Sequence, residues 1–330
     1  MAENKNKIID TWVFIALVFS ISLALRYFCE RVINIPVSTI PIFTGILGFL
    51  FWIFVYQRPI TDIYSQIYPY RKLKPWGWLS SFIFFEYVLT WGLYTKQLEL
   101  VYENFYLIIV IFIGAIAFYF SFVRMKVSLR FLFLGIFIPI LASGCAIGLG
   151  KYFGFIKFSL PKDDVVRVIF LNTLYWVLFN TLYQLVCEEP AFRGFLVQRL
   201  TEKGRAHAVI ISSIVYATWH VIIILFPRID ISKVAICFLE NFVIGCLLAL
   251  LFIKGKNLLI SAVSGGIIDG LNLSIFAGDR YFGLSQYFQM TQNLSELKFI
   301  ILWLGCLAIG IALVLMIPEK RRPQVILARR

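Results

Sequence analysis

Runs of about twenty consecutive apolar residues recur along the whole chain, and that pattern leaves few folds open. A run of this length is what an α-helix needs to cross the roughly 30 Å hydrocarbon core of a bilayer. There, every backbone N–H and C=O has to be satisfied within the segment or by neighbouring protein. Ten such runs can be drawn, at about 8–28, 38–56, 76–94, 105–123, 131–150, 168–190, 207–226, 234–253, 257–276 and 298–317. The expected fold is all-α: a polytopic transmembrane helical bundle of about 8–10 spans. Charge usage agrees, at 15% of residues against roughly 25% in a soluble protein. The first run is longer than the apolar stretch of a secretion signal, and no small-x-small cleavage site follows it, so it reads as a membrane helix.

A net charge of +13 could suggest a nucleic-acid partner, but the basic residues are scattered through short loops without a nucleic-acid-binding signature. Membrane topology explains them better. If the amino terminus faces the cytoplasm, 20 of the 31 Lys and Arg residues fall on the cytoplasmic side, as the positive-inside rule requires. The expectation is an integral protein of a prokaryotic plasma membrane with both termini cytoplasmic, the lipid bilayer as partner and no nucleic acid. The six cysteines (Cys29, Cys145, Cys187, Cys237, Cys246 and Cys306) lie in or beside apolar runs without CxxC spacing. They read as small buried hydrophobes, not as a disulfide framework or a zinc site.

Polar clusters interrupt the apolar runs of the second half. Glu188, Glu189 and Arg193 stand in LVCEEPAFRGFLVQRL; His220, one of two histidines, in SSIVYATWHVI; Asp269, with Asn272, in SAVSGGIIDGLNLS. Ionisable residues at membrane depth are costly and are functional candidates by default. On a helix, positions i and i+4 share a face, so Glu189 can pair with Arg193 while Glu188 points about 100° away. Depth links the clusters. Glu188 lies about 12 residues, or roughly 18 Å, from the basic end of its helix. His220 and Asp269 lie about 13 and 12 residues from the starts of theirs near His207 and Asn257, so three helices place ionisable groups at one level. A continuous helix over 168–202 would be roughly 52 Å long, and Pro190 is the expected place for it to kink. Glu240 and Asn241 in the eighth run, and Glu86 in the third, read as helix-packing polar residues.

The run EEPAFRGFL resembles the EExxxR motif, commonly written with FRG, of the CAAX-protease and bacteriocin-processing family of intramembrane peptidases. The family's second motif, FxxxH, is matched by Tyr216 to His220 with tyrosine in place of phenylalanine, His220 falling 32 residues after Glu188. The stretch FVIGCLLALLFIKGKNLLISAVSGGIIDGL resembles the family's closing helices in its glycines and its short basic turn. The resemblance covers about 165–276 and divides the chain into amino-terminal membrane helices (1–164), a peptidase-like core (165–276), and a loop, last helix and basic tail (277–330). The third motif, usually HxxxN and sometimes with aspartate last, departs: its histidine position is Gly265 and its last position Asp269.

The resemblance implies an intramembrane endopeptidase acting on a peptide or membrane-protein substrate, in which Glu188 and His220 activate water. Such a pair is a sound general-base arrangement. Glu189 and Arg193 would support the helix, and Asp269 would act at the oxyanion, where losing one donor typically costs about 100- to 1000-fold in rate. As an alternative, Glu188, His220 and Asp269 could ligate one divalent metal such as zinc. Two other functions compete. Gly265 favours a non-catalytic binding or assembly protein of the family. Buried glutamates would also suit an ion-coupled transporter, although the inverted repeat of such transporters is missing.

Overall fold

The computed structural model describes residues 2–28, 40–57, 63–64, 86, 105–119, 121, 127–158, 173–225, 231–272, 288–290 and 295–318. Ten helical runs were expected, and the described elements follow them closely. In chain order they are α1 (Ala2–Phe28), α2 (Ile40–Tyr56), α3 (Phe105–Tyr119), α4 (Leu129–Tyr152), β1 (Ile156–Phe158), α5 (Leu174–Cys187), a π-helical segment (Pro190–Val197), α6 (Gln198–Thr201), α7 (Arg205–Leu225), α8 (Ile231–Gly255), α9 (Leu258–Leu271), β2 (Phe288–Met290) and α10 (Ser295–Met316). The run at 76–94 lies outside the described residues except for Glu86, which is exposed. β1 and β2 pair antiparallel, Ile156 opposite Met290, the one small departure from an all-helical chain among the described residues.

Among the described residues, five helices are long and apolar enough to cross a membrane: Asp10–Phe28, Leu129–Tyr152, Arg205–Ile224, Lys233–Gly255 and Leu297–Met316. The described parts of α5 and α9 are 14 residues each. Both are buried along most of their length, packed on each other, with α3 against α5 and α4 against α9. A largely apolar helix surrounded by protein in this way is a core helix.

The long helix expected over 168–202 is interrupted at Pro190. The α-helical ladder stops at Cys187, and the chain continues as a π-helix from Pro190. Proline has no N–H to give the carbonyl four residues back, which here is Val186. That carbonyl abuts Gly45 of α2, and three residues on, a methyl added at Gly48 would come within 2.6 Å of the Ala191 backbone. Two side-chain-free positions on one face of α2 therefore let it lie directly over the break. Phe14 of α1, Phe51 of α2 and Phe195 close the same region with ring centroids 4.7 to 5.3 Å apart.

The helix ends are tied at one end of the bundle. Arg199 Nη2 reaches Asp10 of α1 at 2.9 Å. Lys254 Nζ donates to the carbonyls of Val314, Leu315 and Ile317 at the end of α10. Asn257 caps α9 through Leu259 N–H and donates to the Ser121 carbonyl. The 1–164, 165–276 and 277–330 boundaries fall at 164/165 and 276/277, outside the described residues. Among the described cysteines none is in a disulfide, and Cys145 is exposed where a buried position was expected.

Gly48→Leu should drive a side chain into the Ala191 backbone and lower stability by at least the ~1–3 kcal/mol typical of overpacking. Gly148, which has nothing within 4 Å of an added Cβ, is the control. The unfolding midpoint in detergent should fall for Gly48→Leu and stay unchanged for Gly148→Leu.

Candidate active site

The break at Pro190 turns a helix end into a cluster of polar groups. Glu188 caps α5: its N–H still bonds the Gln184 carbonyl at 3.2 Å, while its own carbonyl accepts from both Ala191 (3.1 Å) and Phe192 (3.0 Å). The two glutamates leave this turn in different directions, as the 100° offset requires. Glu189 is fully buried, and its Oε1 lies 3.4 Å from Arg193 Nη1. The Arg193 guanidinium also sits 4.2 Å over the ring of Tyr216, a stacked position suited to its planar charge.

Glu188 points towards α7. The Tyr216 hydroxyl donates to Glu188 Oε2 at 3.1 Å, and the same oxygen is 4.0 Å from His220 Nε2. His220 Nδ1 lies 3.1 Å from the Tyr216 carbonyl. A carbonyl can only accept, so Nδ1 carries a proton, and in the neutral tautomer this leaves Nε2 bare and facing Glu188. Tyr216 and Trp219 flank the imidazole, with centroids 4.2 and 4.8 Å away. Trp219 is pinned in turn by a 2.9 Å bond from Nε1 to Ser22 of α1. Of the facing pair, the His220 side chain is 16% exposed and that of Glu188 8%, so the opening lies on the histidine side.

Asp269 enters from α9, and its partner was not singled out from the sequence. Gln184 Nε2 donates to Asp269 Oδ2 at 2.6 Å. Gln184 stands four residues before Glu188, one turn away on the same face of α5, and four after Asn180; that spacing was the available signal. Opposite it is Gly265, where a Cβ would collide with the Gln184 amide. Gly266 and Gly270 likewise sit against the backbone of Thr181 and Val177. The missing third-motif side chain therefore leaves no hole, because Gln184 fills that volume. Tyr216 was expected only as a stand-in for phenylalanine, and its hydroxyl bonds the central carboxylate.

The metal alternative asked Glu188, His220 and Asp269 to converge on one ion. Among the described residues, no three His, Cys, Asp or Glu side chains are gathered so as to hold one. Asp269 Oδ2 accepts from the Gln184 amide, and among the described residues these three groups are not gathered round one ion. His207 is exposed at the start of α7. Asn241 is buried and bonds the Cys237 carbonyl of its own helix at 2.9 Å, and Glu240 is half-buried on the same element.

A short irregular helix end at membrane depth, a carboxylate facing an imidazole and a shell of aromatic and amide groups define a buried polar site in an integral membrane protein. Residues 170–271, which hold all of these groups, match the family model described as Type II CAAX prenyl endopeptidase Rce1-like. Over this segment the chain is similar to the Rce1-like proteases, in agreement with its resemblance to the CAAX-protease and bacteriocin-processing family, and the chain has several helices long and apolar enough to cross a membrane. No curated protein matches the chain significantly.

Removing one member of a buried ion pair leaves the other charge uncompensated, at a typical cost of about 3–5 kcal/mol. Glu189→Ala and Arg193→Ala should each destabilise the protein to that extent in denaturant unfolding from micelles. The double variant should lose less than the two singles added together.

Proposed function

We propose that this protein is an intramembrane endopeptidase in which Glu188 and His220 activate the water that cleaves a peptide bond. The observation that carries the reading is the pair of acceptors facing each other at 4.0 Å, Glu188 Oε2 and His220 Nε2. The gap is too long for a direct hydrogen bond and suits one bridging water. Such a water donates one proton to each acceptor and keeps its lone pairs free for attack. The Tyr216 hydroxyl fixes the carboxylate, and the Tyr216 carbonyl fixes the tautomer of the ring.

The water oxygen bonds to the peptide carbonyl carbon while its proton passes to Glu188, and the carbonyl electron pair moves onto oxygen. Collapse of the tetrahedral intermediate re-forms the C=O bond and breaks the C–N bond. Glu188 returns the proton to the leaving amine, so one peptide and one water give an acid and an amine. Glu189 and Arg193 take no part in these transfers; they hold the π-helical segment that carries Glu188. The family description makes a prenylated CAAX carboxyl-terminal peptide the first substrate class to examine. Its lipid would lie in the bilayer while its peptide enters on the exposed side of His220. The bundle end that gathers Asp10, Arg199 and Lys254 is then the cytoplasmic face of a prokaryotic inner membrane.

Purified protein in micelles, assayed with a quenched fluorescent prenylated CAAX peptide, tests this reading. Glu188→Gln and His220→Ala should each lower kcat at least ~100-fold, the lower range for general acid–base groups, with unchanged helicity and unfolding midpoint. Tyr216→Phe removes one hydrogen bond to a charged group, worth about 1.5–3 kcal/mol, and should lower kcat by about tenfold or more. Cleavage at the unsubstituted rate in either of the first two variants would overturn the proposal.

A further inference from the structure

The two groups that face each other across the bridging position are not held alike. Glu188 Oε2 receives the Tyr216 hydroxyl. The imidazole of His220 is tied through Nδ1 to a carbonyl of its own helix, while Nε2 stands 4.0 Å from Glu188, too far for a direct hydrogen bond. A ring anchored at one nitrogen can still swing about that anchor, and a misplacement of about 1 Å can cost roughly 100-fold in rate. The swing is limited by the rings that flank it, Tyr216 and Trp219. Tyr216 is fixed by its own hydroxyl bond; Trp219 is fixed from another helix. Side chains at adjacent helical positions diverge by about 100°. The edge-on contact of Trp219 with His220, ring planes at 82°, therefore requires an indole turned back towards its neighbour. An indole N–H can only donate, and the acceptor it meets is Ser22 Oγ of α1 at 2.9 Å. Both residues are 1% exposed, so the bond is shielded from bulk water.

Ser22 belongs to a stripe. Thr11, Phe14, Ile15, Val18 and Ser22 are buried in α1, at the three- and four-residue spacings of one helix face, while Trp12, Val13, Leu17 and Leu23 face outwards. Phe14 packs on Phe195 of the π-helical segment with centroids 4.7 Å apart. Ser22 lies two turns further, about 12 Å along the axis, and meets α7. One face of α1 thus touches both the segment that follows Glu188 and the helix that bears His220. Trp219 joins the two, because it also packs edge-on against Phe192 at 5.1 Å. We infer that α1, which lies outside the segment matched to the family, completes the catalytic site: Ser22 is a positioning residue that, through the indole of Trp219, holds the imidazole of His220 towards Glu188. The inference rests on the peptidase reading and adds to it a residue from the amino-terminal helices. Ser22 touches no substrate; it sets the angle of Nε2, and therefore kcat and not KM.

The chain's two histidines make the test direct. In protein grown on isotope-labelled histidine, ring NMR signals come from His220 and from His207, which is exposed at the start of α7 and serves as the control. Ser22→Ala removes the acceptor. It should shift or broaden the His220 ring signals and leave those of His207 in place. With the prenylated peptide it should lower kcat about tenfold at unchanged KM, the scale of one neutral hydrogen bond. Ser22→Thr and Ser22→Val share one shape and differ by the hydroxyl, so the threonine variant should keep a kcat about tenfold above that of the valine variant, whatever the added bulk does to folding. Trp219→Phe removes the donor and keeps an aromatic edge, and in that background Ser22→Ala should change kcat no further, as for two residues that act as one contact. Val18→Ala, one turn away on the same stripe, should lower the unfolding midpoint without moving the His220 signals or kcat. Unchanged kcat and unchanged His220 signals in Ser22→Ala overturn the inference and leave the peptidase reading standing. Equal kcat in the threonine and valine variants does the same, as does a full loss from Ser22→Ala on top of Trp219→Phe. If Val18→Ala reproduces the effects of Ser22→Ala, α1 acts by packing alone and the inference falls. Failure of the peptidase reading looks different: the unsubstituted protein and Glu188→Gln would be equally inactive, and the inference goes with it.

Discussion

The absent N–H of Pro190 is the constraint around which the second half of the molecule is arranged. Without it, the carbonyl of Val186 lacks its α-helical donor four residues on, and the regular α-helical ladder gives way to a π-helical segment. At membrane depth an unsatisfied backbone group costs several kcal/mol in lipid, so the break is tolerable only when protein covers it. That demand explains the position of α2, whose Gly45 and Gly48 touch the break directly, and of α1, which brings Phe14 onto Phe195. The same break releases Glu188 from the regular helix surface and places its carboxylate against α7. One missing hydrogen therefore sets the helix end, the covering helices and the direction of the acid together.

The buried ion pair is the counterpart of that break. A π-helical turn is rare and often marks a functional site, and side chains also hold the segment from Pro190 to Val197. Arg193 reaches back to Glu189 and across to the ring of Tyr216, so one guanidinium joins the irregular turn to α7. Tyr216 then meets both Glu188 and His220. The chain of contacts runs from a structural cation to the two groups facing the bridging position, and every link is a directed contact in a water-poor interior. Displacing any one of them moves the acid relative to the imidazole.

Much of this was legible in the sequence, for physical reasons that can be named. The apolar runs, the i,i+4 pairing of Glu189 with Arg193, the interruption at Pro190 and the common depth of Glu188 and His220 all follow from helix pitch and the cost of burying charge. The burial of α5 and α9 did not follow, because hydropathy counts apolar residues without distinguishing lipid from protein neighbours. Gln184 escaped for a related reason. It is one of two amides, with Asn180, in a largely apolar helix, and its meaning comes from Asp269, 85 positions away in the chain. Gly265 looked like a loss because a motif is read along one helix, whereas the volume at that position belongs to two.

The packing of α5 on α9 therefore has a chemical consequence. Gly265, Gly266 and Gly270 bring α9 against Gln184, Thr181 and Val177 so closely that an added methyl at any of the three would overlap its neighbour. Small residues at a helix crossing are the usual means of close approach in membranes. Here the approach also fixes the 2.6 Å bond between Gln184 and Asp269. The helix that bears Glu188 thus carries, one turn earlier, the amide locked to the opposite helix, so the depth of Glu188 is referenced to α9 as well as to α7. A crossing with larger residues would separate the helices and break that reference before it disturbed the fold elsewhere. Tight glycine packing and an ordered polar cluster are, in this protein, two consequences of the same interface.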